Sequence, residues 1–123
     1  MKILIVEDDQ VISLMLRRML ERMEHEVIDV VTRGREAVDK ALNEPCELIL
    51  MDIMLKDDID GIEAYRQINK EKKIPIIYIT GNSDERNKMR ANKIGFHDFI
   101  TKPVVYEELK SSISMLEWRA GKN

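Results

Sequence analysis

Acids, hydroxyls and an ammonium fall directly after apolar runs in this sequence. Glu7, Asp8 and Asp9 follow Lys2–Val6, and Asp52 follows Glu47–Met51. Thr80 and Gly81 follow Ile74–Ile79, and Lys102 and Pro103 follow Phe96–Thr101. Carboxylates gathered from two segments repel one another unless a cation sits between them. An oxygen-only donor set, with no His or Cys, suits Mg²⁺ (or Mn²⁺), and Mg²⁺ takes six oxygens and keeps some of its waters. A carboxylate beside such an ion can attack phosphorus and form an aspartyl phosphate. In-line transfer then needs charge neutralised on the equatorial oxygens, which the ion, Lys102 and the Thr80 hydroxyl would do from three sides.

That chemistry requires a scaffold that brings distant positions to one edge, and the order of segments supplies it. Lys2–Val6, Glu26–Val31, Glu47–Met51, Ile74–Ile79 and Phe96–Thr101 are short, apolar and rich in β-branched residues. Three are nearly continuous apolar runs, as in strands covered on both faces. Asp29 breaks the second and His97 with Asp98 the fifth, which places these two toward the sheet edges.

Segments with helical spacing lie between the strands. Val11, Met15, Met19 and Met23 recur every four residues beside Ile12, Leu16 and Leu20, with Asp8 or Asp9 as the cap. The methionines are expected to pack in the core. Ala37, Val38, Ala41 and Leu42 form a second stripe, ended by Asn43 and Pro45. Ile62, Tyr65 and Ile68 form a third, and Val105, Leu109, Ile113 and Leu116 the last, just after Pro103. Asp84–Lys93 is the weak member: Ser83 is its candidate cap, and only Met89, Ala91 and Ile94 offer anything to bury. The order βαβαβαβαβα demands parallel pairing and right-handed crossovers, hence an open, doubly wound α/β sheet. Ligands in such sheets bind outside the carboxyl ends of the strands, where strand order reverses.

Composition agrees. The chain has 123 residues, 44% hydrophobic and 35% charged, enough for one core in a globule with a radius of gyration of roughly 14 Å. A net charge of −3 gives no footprint for direct nucleic-acid binding. The single cysteine, Cys46, excludes an internal disulfide and a cysteine metal cage, which suits a reducing, cytoplasmic setting. A strand beginning at Ile3 leaves no room for a signal peptide, and no apolar run approaches the ~20 residues of a membrane span.

With these residues placed, the chain resembles the receiver domains of two-component response regulators from Ile3 to about Leu116. The motifs are ILIVEDD (Ile3–Asp9), LILMDIML (Leu48–Leu55), DG (Asp60–Gly61), IYITG (Ile77–Gly81) and FITKP (Phe99–Pro103). Each is weak alone; five in order at the right strand ends are specific. The resemblance implies one receiver domain over residues 1–123, with a flavodoxin-like (βα)5 fold of strand order 2-1-3-4-5. It implies that Asp52 accepts phosphoryl from a histidine kinase or histidine phosphotransfer protein. Asp8 then binds Mg²⁺ directly, Glu7 through water, and Met54 through its backbone carbonyl. Thr80 is the switch hydroxyl, Lys102 pairs with the phosphoryl group, Lys102-Pro103 is a cis peptide, and Phe99 is the rotating aromatic.

The chain also departs from the family pattern. Nine positions separate Asp52 from Gly61 where eight are commoner, and Lys56-Asp57-Asp58 stands where a proline usually follows the leucine. Gly81 replaces the usual alanine, which leaves room for phosphate. Glu7 replaces the more frequent aspartate, and Phe99 lacks a hydroxyl, so a switch here works by burial. Met54 and Asn82 occupy positions that tune hydrolysis in similar proteins; a methionine cannot orient water, so a long-lived phosphoryl group is expected.

Blander roles fit several other residues. Asp9 is assigned to helix capping, and His25 and His97 to the surface. Cys46 is assigned to packing or a mild surface thiol, and Trp118 to a half-exposed cover. The run Lys56–Gly61 faintly suggests a calcium loop but puts Lys56 and Gln67 where carboxylates are required.

The expected role is a phosphorylation switch that acts on a downstream protein through helix 4, strand 5 and helix 5. The poorly buried Asp84–Lys93 is the moving element, in a monomer or weak homodimer. Too few residues follow the last helix for a DNA-binding effector. The chain is therefore expected to be a stand-alone receiver or the N-terminal receiver of a larger protein, with the longer loop a faint lean toward receivers ahead of sensor modules. Three competitors fit less well. A haloacid-dehalogenase-type phosphatase would need Glu7 as nucleophile and Asp9 beside it. A flavodoxin-like electron carrier needs a phosphate loop where three acids stand. A pseudo-receiver would have lost Asp52, Lys102 or the acids.

Overall fold

A computed structural model describes residues 1–56, 59–81 and 85–121. Ten elements alternate: β1 (Lys2–Val6), α1 (Gln10–Arg22), β2 (Glu26–Val31), α2 (Gly34–Asn43), β3 (Leu48–Asp52), α3 (Gly61–Glu71), β4 (Ile76–Thr80), α4 (Glu85–Ile94), β5 (Asp98–Thr101) and α5 (Tyr106–Arg119). All four strand pairings are parallel, in the order β2-β1-β3-β4-β5, the flavodoxin-like arrangement. The edges are β2 and β5, the two strands that Asp29 and Asp98 interrupt.

Because side chains alternate along a strand, each central strand serves two cores. Leu4, Val6, Ile49, Met51, Ile76 and Tyr78 face α2, α3 and α4, meeting Ala37, Ala41, Ile62, Ile68 and Ala91. Ile3, Ile5, Leu48, Leu50, Ile77 and Ile79 face α1 and α5, meeting Leu16, Leu20, Leu109 and Ile113. No helix among the described residues is long and apolar enough to cross a membrane.

Several expectations need correction. Strand β4 starts at Ile76 rather than Ile74, since Pro75 lacks the N–H that a ladder uses. Strand β5 starts at Asp98, while Phe96 packs into an aromatic cluster with Tyr78 and Phe99. Strand β3 starts at Leu48 and extends one residue further than expected, so Asp52 ends it.

In α1 only half of the four-residue methionine stripe packs as expected: Met19 and Met23 lie partly buried against the core that holds Leu16 and Leu20, while Val11 is 69% and Met15 46% exposed. A step of four residues advances the helix by about 40° beyond a full turn, so Val11 and Met15 drift off the face that Leu16 and Leu20 hold against the sheet. Val105 is likewise exposed, being the N-cap of α5 rather than part of its stripe, and Met89 of α4 points to solvent. The His25 side chain is buried, with Nδ1 2.9 Å from the Met1 amine, so it is not a surface residue. His97 is half-buried, its Nε2 2.7 Å from the Ser112 carbonyl. Trp118 is well exposed, and Cys46 is half-buried against the core with its thiol on the Leu48 carbonyl. The expected cap Ser83 and first-turn Asp84 lie outside the described residues.

Candidate functional site

Strands β1 and β3 are hydrogen-bonded neighbours with Val6 opposite Met51, so the residues that follow meet: Glu7 and Asp8 come beside Asp52. Carboxylate oxygens of these three lie within 4.8 Å of one another. Glu7 and Asp52 are buried, polar side chains at the end of an otherwise apolar sheet. Asp9 is differently engaged. Its Oδ1 accepts from the backbone N–H of Val11 and Ile12 at 2.9 and 3.0 Å, the N-cap of α1. A carboxylate spent on two backbone donors is a poor second acid for a dehalogenase-type centre.

Among the described residues one cation reaches the acids. Beyond Thr101 the Lys102 N–H donates to the Thr80 carbonyl at 2.7 Å, and the Lys102-Pro103 peptide is cis, as expected. From there Lys102 Nζ extends to 2.8 Å from Glu7 Oε1 and 3.4 Å from Asp52 Oδ2. Its closer partner is thus Glu7, which sequence reasoning did not anticipate. Burial disfavours the ammonium, but the Glu7 hydrogen bond and the Asp52 charge outweigh it and raise the Lys102 pKa. Burial pushes Glu7 upward, and the Asp52 charge adds to that; the Lys102 hydrogen bond and the Asp9 N–H, 3.0 Å from Glu7 Oε2, pull it back without prevailing. Three carboxyls against one ammonium leave the cluster short of positive charge. Asp8 Oδ2 is buried with no hydrogen-bond partner among the described residues, an oxygen with an unmet demand. An oxygen-only cluster with an orphan carboxylate oxygen fits a hard divalent cation.

The remaining positions surround this cluster. Thr80 is fully buried at the end of β4, which pairs with β3 so that Asp52 lies opposite Ile79. Among the described residues a Cβ on Gly81 would meet only the Lys102 Cδ, at 4.0 Å. The Met54 side chain is 59% exposed, and its N–H donates to Asp52 Oδ1 at 3.2 Å. Gly61 is required by contact. A Cβ would fall 2.2 Å from the Asp52 carbonyl oxygen, and the Gly61 N–H bonds the Ile53 carbonyl at 2.9 Å. Phe99 stands apart from the acids, half-buried on β5, with its ring centroid 5.8 Å from those of both Tyr78 and Phe96. Asn82 and the loop acids Asp57 and Asp58 lie outside the described residues.

Two features escaped the sequence reading. The first is Asp60, the N-cap of α3, whose Oδ1 accepts from the Glu63 N–H at 2.9 Å and whose carboxylate also holds Arg90 of α4. The Asp60-Gly61-Ile62-Glu63 spacing is a capping signature that would have revealed the cap; nothing local in sequence points to Arg90. The second is an apolar rim. Val11, Leu14, Met15, Met54 and Val105 are exposed near the strand ends, and a cavity of about 300 Å³ opens between α1 and the β5–α5 turn, lined by Ile12, Met15, Met19, Lys102, Pro103 and Val104.

Residues 3–114 match the family described as the response regulator receiver domain. The chain is 40% identical over 119 residues to the transcriptional regulatory protein ResD of Bacillus subtilis, covering 97% of this chain and 49% of that protein. It is 40% identical to the response regulator ArlR of Staphylococcus saprophyticus, covering 99% of this chain and 55% of that one. The chain therefore spans about half the length of the curated relatives it matches. A CheY-like receiver domain protein from Methanospirillum hungatei superposes with a TM-score of 0.91 at 30% identity, over 98% of this chain and 96% of that one. The receiver domain of a sensor histidine kinase from Pseudomonas aeruginosa, solved with a magnesium ion in its active-site cleft, superposes with a TM-score of 0.81 at 30% identity, over 94% and 93%. The family match takes in every strand end that carries an acid, the hydroxyl or the lysine, and the chain belongs to the response regulator receiver family, the phospho-accepting modules of two-component signalling.

Proposed function

We propose that Asp52 is the phospho-acceptor of a receiver domain spanning residues 1–123, and that a histidine kinase or histidine phosphotransfer protein is the donor. The observation that carries this reading is the convergence of Glu7, Asp8 and Asp52 with Lys102, two acids from the end of β1 and one from β3 meeting a lysine from beyond β5. An Asp52 carboxylate oxygen attacks the phosphorus in line as the phosphorus–nitrogen bond of the donor phosphohistidine breaks, and the bond's electron pair leaves with the imidazole.

Asp8 and Asp52 would hold Mg²⁺ or Mn²⁺ directly, Glu7 through water and Met54 through its carbonyl. Bound there, the ion would neutralise charge on the phosphoryl oxygens. Lys102 leaves its 2.8 Å contact with Glu7 to pair with the phosphoryl group, and Thr80 donates its hydroxyl from β4. The cis peptide at Pro103 shapes the turn that carries Lys102. Gly81 keeps the approach open, and Gly61 lets α3 start against Asp52.

The chain's own chemistry is limited to gaining and losing this one group, in a cytoplasmic setting. The Met54 thioether offers no means of orienting an attacking water, so the acyl phosphate persists for longer than seconds. The apolar rim on α1 and beside Pro103 suits a protein donor rather than a metabolite. The output is a protein surface formed by α4, β5 and α5, in which Phe99 moves inward as Thr80 turns. Direct nucleic-acid binding is no part of the role, and the domain is a monomer or weak homodimer.

Intact-mass measurement after acetyl phosphate and Mg²⁺ tests the reading. The parent should gain one phosphoryl group, which Asp52→Asn or omission of the metal abolishes. A phosphoryl group on the Asp52→Asn variant would overturn the assignment.

A further inference from the structure

We propose that Arg90 of α4 is a positioning residue for the acceptor site, acting through Asp60, and that this pair is a latch whose release accompanies switching. The inference rests on the receiver reading above and specifies the regulation of that site. The Arg90 guanidinium grips Asp60 with both arms, Nη1 at 2.7 Å from Oδ2 and Nη2 at 3.2 Å from Oδ1. Such a fork fixes direction as well as distance, which a lysine could not do. Asn87 Oδ1, one turn earlier on α4, accepts from Nη1 at 3.1 Å and braces the guanidinium from its own helix.

Asp60 is also the N-cap of α3, and the next residue, Gly61, is pressed against the Asp52 carbonyl. Arg90, Asp60, Gly61 and Asp52 therefore form a chain in which each touches or is bonded to the next. A displacement of α4 pulls on the N-cap, and the N-cap is one residue from the backbone that supports the acceptor.

Two further observations make this corner an adjustable one. Of the ten residues of α4 only Ala91 is buried and Ile94 partly so, a thin apolar anchor to which the Arg90 fork adds. The other is the Tyr78 hydroxyl, which is buried without a hydrogen-bond partner among the described residues and feels the charges of both Asp60 and Arg90. An unmet hydroxyl gives a rearrangement of these groups something to gain. The Tyr78 ring in turn packs on Phe99, whose ring centroid lies 5.6 Å from Lys88 Nζ of α4. A shift at the latch thus reaches the aromatic on the output face through the charges that act on the Tyr78 hydroxyl and the packing of the Tyr78 ring on Phe99.

The test uses five proteins: the parent, Arg90→Gln, Arg90→Lys, Asp60→Asn (which retains a capping oxygen) and the double variant. Amide exchange across residues 85–94 and the rate of phosphorylation by acetyl phosphate with Mg²⁺ are read in each. Each single variant should speed exchange and phosphorylation by about two- to fivefold, the range that a part-exposed ion pair supports. The double variant should go no further than either single one, and Arg90→Lys should fall between parent and Arg90→Gln. Faster exchange with a parental phosphorylation rate would make the pair a helix support only and overturn the proposal. Additive effects in the double variant would overturn it too. A parent that takes no phosphoryl group overturns the receiver reading and the latch's role in it. A phosphorylated parent whose rate ignores Arg90→Gln overturns the latch alone.

Discussion

Helices α3 and α4 follow one another in the chain, have 11 and 10 residues, and flank the same strand, yet they are held in opposite ways. Helix α3 buries Ile62, Ala64, Tyr65 and Ile68, and its Tyr65 hydroxyl donates to the Ile74 carbonyl just before β4. At roughly 1.5–3 kcal/mol for each large side chain, its apolar face alone binds it firmly to the sheet. Helix α4 has Ala91 buried, Ile94 partly buried, Lys88 over the Phe99 ring and one fork of hydrogen bonds to Asp60. A helix held by that little can be moved by the few contacts a phosphoryl group introduces, while the apolar face of its neighbour keeps the body of α3 on the sheet and only its N-cap feels the pull. The two helices divide the labour between rigidity and response.

The most direct way to break that contrast is to truncate one side chain on each helix. Ile68→Ala removes a fully buried side chain beneath α3 and should cost about 2–5 kcal/mol in denaturant unfolding. Met89→Ala removes an exposed side chain of α4 and should stay within about 0.5 kcal/mol. Equal costs would mean that α4 is anchored as firmly as α3, and its assignment as the mobile element would fall.

Next in size is Gly61→Ala, which attacks the rigid side at its point of closest approach. The added Cβ would sit 2.2 Å from backbone, which cannot rotate away, so α3 must back off from Asp52. A loss of about 1–3 kcal/mol is expected, together with weaker Mg²⁺ binding measured by calorimetry, because the Asp52–Met54 turn shifts with it. An unchanged affinity would show that α3's start does not support the metal cluster.

The sequence carried the rigid side better than the responsive one, for a physical reason. Continuous apolar runs such as LILM and IIYI mark strands covered on both faces, and acids placed directly after them have a single destination in a parallel sheet. Glu7, Asp8, Asp52 and Lys102 could therefore be brought together from order alone. Methionines in α1 misled because four-residue spacing follows a helix face only over short stretches, and Val11 and Met15 lie off the buried side. His25 was misplaced because burial by the neighbouring α5 and the chain's first residue leaves no local signal. The Arg90–Asp60 fork joins positions 30 residues apart on two different helices, and polar pairs of that kind have no periodicity to betray them. Tertiary polar contacts, which here hold the movable helix, were the part left unread.

Tyr78→Phe probes the joint between the two helices without cutting either. Removing a buried hydroxyl that has no partner among the described residues should stabilise the protein by about 1 kcal/mol, since the desolvation cost disappears while the ring contacts with Tyr65, Phe96 and Phe99 remain. If the hydroxyl gains a partner when α4 moves, the same variant should show a smaller increase in α4 exchange on phosphorylation than the parent. A loss of stability would mean that the hydroxyl is satisfied, and the corner would have nothing to gain from rearranging.

The smallest expected effect lies on the exposed face of α3 and sharpens the contrast by pH. The Glu63 carboxyl is held down to about 2, first by the Arg66 hydrogen bonds at 2.7 and 2.8 Å and then by Gln67. A carboxyl lowered in the folded state binds fewer protons there than in the unfolded chain between the two pKa values. Its contribution is therefore complete above the ordinary carboxylate pKa of 4.5 and lost as pH falls toward 2. Arg66 is 46% exposed, so solvent screening limits the contribution to less than about 0.5 kcal/mol. Denaturant midpoints for the parent and Glu63→Gln should differ slightly at neutral pH, converge as the solution is acidified, and converge at neutral pH in about 1 M salt. A difference that survives both acid and salt would mean that Glu63 steadies α3 through packing or its capping position rather than through charge.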